Sequence, residues 1–495
     1  MQFISRWLLP LWITVLFFTA ACSCQQPIPQ LNVYTALAAR LLRQGDAEFA
    51  KMHWSGWDKA VRYYEEILRQ RDDPELRQRL FTVYILLSLR ETELFIQNES
   101  WLQKAEELLP RVPAAPFSTY LAVAREKLHN ILLNRSGYTS HWAPNLEKNP
   151  LPAETASALS HYLYLQYLRP ITTQNTTEKY IKAEKEFQQL HGDSNLAVFS
   201  RSYTPQDMDE KLAAFPDFAE MYMLRGDWYR AEKKYQAALA DYQQAVERMP
   251  PLFKARNAMA TLFYSLEEYG QALFHYGKTL EICPLEPAAL FGRGICLSEL
   301  RRYDESDQAL RELIEKQTFF HGEAYYYLAK NNYYRQRPDE TRSFITQAAS
   351  FIPDSPELNM LSGLLYLDWG RPEQATIDFR KVLEQLPQHA EAWYFLGQAA
   401  LQGKKFQEAW AYFQASIKNF GREVRDFDDK LETMKREKDT DSHRHDYFLK
   451  RQRQRSEYVL ELRERLTGLQ KIFKKPPLPA LRELLDYLTA PAPEK

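Results

Sequence analysis

Small residues recur along the second half of this chain at a nearly fixed interval. Gly226, Ala260, Gly294, Ala329, Gly363 and Gly397 are separated by 34, 34, 35, 34 and 34 residues. Such a period is one supersecondary unit long, and a unit of that size buries its apolar face only by stacking on copies of itself. The neighbours of each small residue recur too. Trp393, Leu396 and Gly397 read W-x-x-L-G and are followed by Ala409 and Phe413. Gly363 is followed by Tyr366, Ala375, Phe379 and Pro387, Gly226 by Tyr229, Ala238, Tyr242 and Pro250, and Ala260 by Phe263, Ala272, Tyr276 and Pro284. Leu328, Ala329, Ala348 and Pro353 keep the same places in the fourth copy. A small residue on each of two antiparallel helices lets them approach closely, and aromatic side chains fill the remaining gap. The proline that follows each copy cannot extend the second helix. The pattern therefore predicts an all-α stack of helical hairpins.

This register resembles the tetratricopeptide repeat family. The resemblance implies a helix-turn-helix solenoid wound as a right-handed superhelix, with a six-copy array over residues 219–422 and one residue inserted near Thr318 to Phe320. It also implies a non-enzymatic protein whose concave groove takes a protein or peptide ligand. The first-helix positions that line this face in the family fall here on Asn257, Tyr264, Phe291, Ile295, Tyr326, Lys330, Tyr333, Met360, Leu364, Tyr394 and Gln398. Isolated Arg230, Asn257 and Lys330 do not make the cationic clamp with which some members hold a C-terminal carboxylate, so the lining fits an extended or helical apolar segment. A tyrosine-rich channel for a small apolar ligand of a transporter is the alternative.

The N-terminus carries a separate signal. Arg6 precedes an apolar run from Trp7 to Phe18, then Thr19, Ala20, Ala21 and Cys22. A charge, a short apolar stretch and small residues before a cut site describe a signal peptide over 1–21. A cysteine after two alanines resembles the lipobox of bacterial lipoproteins, although Thr19 stands where leucine is usual. The resemblance implies acylation (palmitate) at Cys22, a tether over 22–30 and membrane attachment through the lipid. Ser23, by the enteric sorting rule, points to the outer membrane. A periplasmic scaffold and a surface adhesin for host cells or matrix fit this reading equally.

Segment 31–215 has no sheet signature and carries echoes of the repeat: Ala60, Tyr64 and Ile67; Trp101, Ala105 and Leu108; Tyr180, Ala183 and Phe187. It is expected to hold degenerate helical repeats. Residues 423–475 read as one long charged capping helix with an apolar stripe at Tyr458, Leu462, Leu466, Leu469 and Ile472, and 476–495 as a Pro-rich tail with a short amphipathic helix. Cys283 and Cys296 are predicted to be free, because about nine residues of helix rise hold them near 13 Å apart.

No catalytic constellation, metal motif or cofactor site is found. Gly277, Lys278 and Thr279 mimic the end of a phosphate loop, but Ala272 replaces the leading glycine. His443 and His445, and the basic run Lys450, Arg451, Arg453 and Arg455, read as solvated helix surface. With 64 Lys plus Arg against 65 Asp plus Glu, nothing in the charge favours nucleic acid as a partner.

Overall fold

The structure is a computed structural model that describes residues 36–112 apart from 97, 124, 158–168, 178–199, 202–317 and 319–472. The expected signal peptide of 1–21, Cys22, the tether of 22–30 and the tail of 476–495 lie outside the described residues, as does the end of the 423–475 segment.

Every regular element among the described residues is helical. The N-terminal half contains α1 (Ala36–Phe49), α2 (Trp54–Gln70), α3 (Pro74–Glu93), α4 (Ser100–Leu108), α5 (Ala158–Leu168), α6 (Glu178–His191) and α7 (Pro205–Ala214). The residues that echo the repeat are those that pack: Ala60, Tyr64, Ile67, Ala105, Ala183 and Phe187 are all buried. Between α1 and α2 the approach matches that of a full repeat, since a Cβ on Gly45 would stand 2.5 Å from Tyr64 Cε1. Local chemistry sets the starts. Asp73 caps α3 by accepting from the backbone N–H of Glu75 and Leu76, with Pro74 in the first turn, and Thr204 and Asp207 form a reciprocal capping box on α7.

The array follows as six hairpins. The first helices are α8 (Ala219–Ala231), α10 (Phe253–Ser265), α12 (Pro287–Glu299), α14 (His321–Tyr334), α16 (Pro356–Asp368) and α18 (Ala390–Gln402). The second helices are α9 (Tyr235–Arg248), α11 (Tyr269–Ile282), α13 (Tyr303–Lys316), α15 (Pro338–Ala349), α17 (Pro372–Gln385) and α19 (Phe406–Glu437). The small anchors do what their spacing suggests. A Cβ on Gly226, Gly363 or Gly397 would lie 2.8, 2.5 or 2.4 Å from the ring of Tyr242, Phe379 or Phe413, and at Gly294 Leu310 takes the place of the ring at 2.6 Å. Overlap that close leaves no room for a methyl group. The extra residue lies within α14, which is one residue longer than the other first helices and is preceded by Phe320 in the left-handed region at φ 63°.

One core runs from Ala38 in α1 to Cys296 in α12, so the N-terminal helices and the first repeats are packed as a continuous body. Cys283 and Cys296 are both buried and free. A second core joins α17, α18 and α19 to the C-terminal helix. That helix departs from expectation, because the 423–475 stretch is two helices. α19 overruns the repeat as far as Glu437, the chain reverses through Lys438 at φ 54°, and α20 (Ser442–Ile472) returns antiparallel. Asp439 N–H closes the first helix onto Met434 C=O at 2.9 Å, and Asp441 opens the second by accepting from Arg444 N–H at 3.0 Å. The break needs neither glycine nor proline, so the charged run concealed it. Among the described residues no helix is long and apolar enough to cross a membrane.

Candidate functional site: the aromatic face of the first helices

The first helices of the second to fourth repeats meet through a set of aromatic side chains. Tyr264 on α10 and Tyr327 on α14 share a hydroxyl hydrogen bond of 3.0 Å across two repeats. Tyr327 also makes T-shaped ring contacts with Phe291 at 6.0 Å and with Tyr326 at 5.1 Å, and the Lys330 ammonium lies 5.2 Å from its ring centre. Phe291 is stacked on Phe320 at 5.0 Å, so the residue that precedes α14 supplies a wall of the same face. Lys330 is held in place by Glu299 at 2.7 Å. Burial pushes the Tyr264 hydroxyl up to about 12 and raises Tyr326 and Tyr327 as well. These phenols stay neutral at physiological pH and can donate or accept hydrogen bonds beside an apolar ligand.

The sequence-derived positions do not all occupy equal ground. Asn257, Tyr264, Phe291, Tyr326, Lys330 and Tyr333 are half-buried, whereas Ile295 is only 7% exposed and belongs to the packed interior between helices. Tyr333 turns its ring edge to Tyr334 at 5.7 Å. Met360, Leu364 and Tyr394 pack on the core that joins the last two repeats to α20, and Gln398 is half-buried beside them. Tyr327 is the hub that the family register misses, because its place is one residue past Tyr326. The signal for it is the run Tyr325-Tyr326-Tyr327, which gives consecutive helix directions an aromatic.

A polar network stiffens the floor. Asn331, fully buried, receives the Ser298 hydroxyl at 2.6 Å and donates to Ser306 at 2.9 Å and Asp307 at 2.8 Å, while Arg335 pairs with Asp307 at 2.7 Å. Three helices from two repeats are pinned by one amide.

Other sequence signals find structural places. Lys278 donates to Glu281, one turn further along α11, at 2.8 Å, so the phosphate-loop mimic is ordinary helix. His443 is not free surface: its Nδ1 lies 2.7 Å from Glu268 and its ring meets Phe263 edge-on. The basic run is likewise engaged. Lys450 and Arg451 pair with Glu267, and Arg455, only 8% exposed, pairs with Glu391 and Glu423. Helix periodicity alone cannot show that a charged face meets charges from distant repeats. Among the described residues no cluster of His, Cys, Asp and Glu could hold a metal ion.

Parts of the chain match family models of a helical repeat. Residues 208–252 and 360–423 match one tetratricopeptide repeat family model, and 288–317 match a second. No curated protein matches the chain. Among solved structures, yeast Tom70 is 15% identical, with 91% of this chain and 99% of that one covered at a TM-score of 0.35. The Cut9-Hcn1 assembly of the APC/C is 13% identical over 78% of this chain and 81% of that one, with a TM-score of 0.48. YrrB, described as a TPR protein with an unusual peptide-binding site, is 21% identical over 36% of this chain and 91% of its own, at 0.29.

Proposed function

From the premise that this chain is a tetratricopeptide repeat protein, a family that generally mediates protein-protein interactions, we propose that it is a non-enzymatic scaffold that binds a protein or peptide on the face built by α10, α12, α14 and α16. The observation that carries this reading is the half-buried aromatic set of Tyr264, Phe291, Tyr326 and Tyr327 around Lys330. Such a set buries apolar area against an incoming chain, offers hydroxyls to its backbone, and costs little side-chain entropy because the rings already brace one another. Each apolar side chain of an incoming segment that seats there would contribute about 1.5–3 kcal/mol, and affinity is what remains of that sum after the costs of association.

We place the protein, by its N-terminal sequence, in the bacterial envelope, attached through lipid at Cys22. Two measurements test the two halves separately. Crosslinking in envelopes followed by mass spectrometry should give a defined partner that is lost with Tyr326→Ala, whose effect on the thermal transition is checked in parallel; capture that survives a folded Tyr326→Ala protein would refute the aromatic face as the site. Metabolic labelling with a palmitate analogue should mark the wild type and not Cys22→Ser, and equal labelling of both would dismiss lipidation at that residue.

A further inference from the structure

The overrun of α19 beyond the sixth repeat and the α20 that follows it reach both ends of the array. At its base, α20 is seated by apolar packing. Leu462 is fully buried in the core of the last two repeats with Val459 and Leu466 beside it, and Tyr458 stacks on Phe420 of α19 at 5.1 Å. At its tip the chain meets the first two repeats, some two hundred residues away in sequence. Asp441 accepts from the backbone N–H of Gln236 at 2.8 Å in the first turn of α9, while also capping α20. Arg444 donates to Lys233 C=O at 3.4 Å, His443 meets Glu268 at 2.7 Å, and Lys450 and Arg451 meet Glu267 at 2.8 and 3.1 Å. Only four positions, about 6 Å of helix rise, separate Arg451 on the second repeat from Arg455 on Glu391 of the sixth.

The turns between paired helices show why the tip lands there. Their residues are Lys233-Lys234, Glu267-Glu268, Arg301-Arg302, Gln336-Arg337, Gly370-Arg371 and Lys404-Lys405. The second repeat alone carries an acidic pair at this edge, and it is the one that faces the histidine, lysine and arginine of α20. Each of the other five turns carries at least one lysine or arginine and no acid. Charge therefore fixes the landing site, as rim charges fix register between separate proteins.

We propose that α19 and α20 form a hinged clasp: anchored by apolar packing on the sixth repeat, and closing the array onto its second repeat by a charge contact that can be released. The asymmetry between base and tip carries this. Partly exposed ion pairs contribute little individually and weaken with salt, whereas burial of Leu462 and its neighbours does not depend on salt. The tip contains limited apolar contact, chiefly His443 on Phe263 and Tyr447 on the edge of the N-terminal core. Release at the tip leaves the base in place and opens the ring between the second and sixth repeats. This device stands independently of what the aromatic face binds.

Hydrogen exchange on the full chain tests it. With Glu267→Lys and Glu268→Lys together, or in the wild type at about 1 M salt where charges are screened over about 3 Å, amides of 441–452 should exchange about tenfold faster or more, with 456–466 unchanged. Adding Lys450→Glu and Arg451→Glu to the double variant should restore protection, an outcome that a general folding defect does not give. Unchanged exchange at 441–452 under both treatments would overturn the proposal. So would equal loosening of 441–452 and 456–466, which would make the hairpin a single rigid body.

Discussion

At the scale of the residue, the array tolerates no added methyl group where its helices cross. A Cβ at Gly397 would fall 2.4 Å from the buried ring of Phe413, whereas one at Gly270, on an exposed helix start, meets nothing within 4 Å. Gly397→Ala should therefore lose about 1–3 kcal/mol of stability in urea titration, and Gly270→Ala should be neutral or gain up to about 1 kcal/mol from helix propensity. A buried carboxyl makes a second residue-scale prediction. Glu91 accepts from the indole N–H groups of Trp54 and Trp101 at 3.0 and 2.9 Å and from Asn98 at 2.9 Å, yet burial outweighs these bonds and pushes its carboxyl from near 4.5 up to about 7. The folded state then holds more protons than the unfolded chain between those values, so this group's contribution falls as pH rises through the window. The stability difference between Glu91→Gln and the wild type should widen in the mutant's favour from pH 5 to pH 8. A flat difference would refute the shifted carboxyl.

At the scale of the element, the turns inside the hairpins repeat as faithfully as the anchors. Lys233, Glu267, Arg301, Gln336, Gly370 and Lys404 each sit seven residues past an anchor with φ between 57° and 65°. In each, the next residue's N–H returns to the first helix: Lys234 to Tyr229 at 2.8 Å, Arg302 to Leu297 at 2.9 Å, Lys405 to Ala400 at 2.8 Å. This is a Schellman closure, and glycine usually supplies its left-handed residue. Only Gly370 does so here, which is why five of the six turns carry no sequence mark and are found by counting from the anchors. A left-handed side chain costs about 1–2 kcal/mol. Arg301→Gly is expected to recover up to about 1 kcal/mol, and Gly370→Ala to lose about as much, both read from urea midpoints at constant m.

At the scale of the whole molecule, the last repeat depends on a helix that follows it. Leu462 is completely buried among residues of α17, α18 and α19. Leu462→Ala should cost about 2–5 kcal/mol and should act on residues 372–437 first, as local loss of exchange protection, because neighbouring repeats couple only through their shared interfaces. Uniform destabilisation from α1 onward would show that the two cores unfold as one.

The sequence by itself determined the helical hairpin, its period and the anchors at which helices touch, because these are short-range consequences of residue size at helical spacing. It also marked Tyr264, Phe291, Tyr326 and Lys330, since position within a repeat decides which way a first-helix side chain points. Tertiary structure alone decided that Tyr264 reaches Tyr327 two repeats on, that Ile295 is interior, and that the C-terminal charges are partners of Glu267, Glu268 and Glu391. Those outcomes depend on how much the stack turns per repeat, a small rotation that accumulates over six copies and brings the second and sixth together. No window of sequence contains that sum, because each interface adds to it through packing details spread along the whole array.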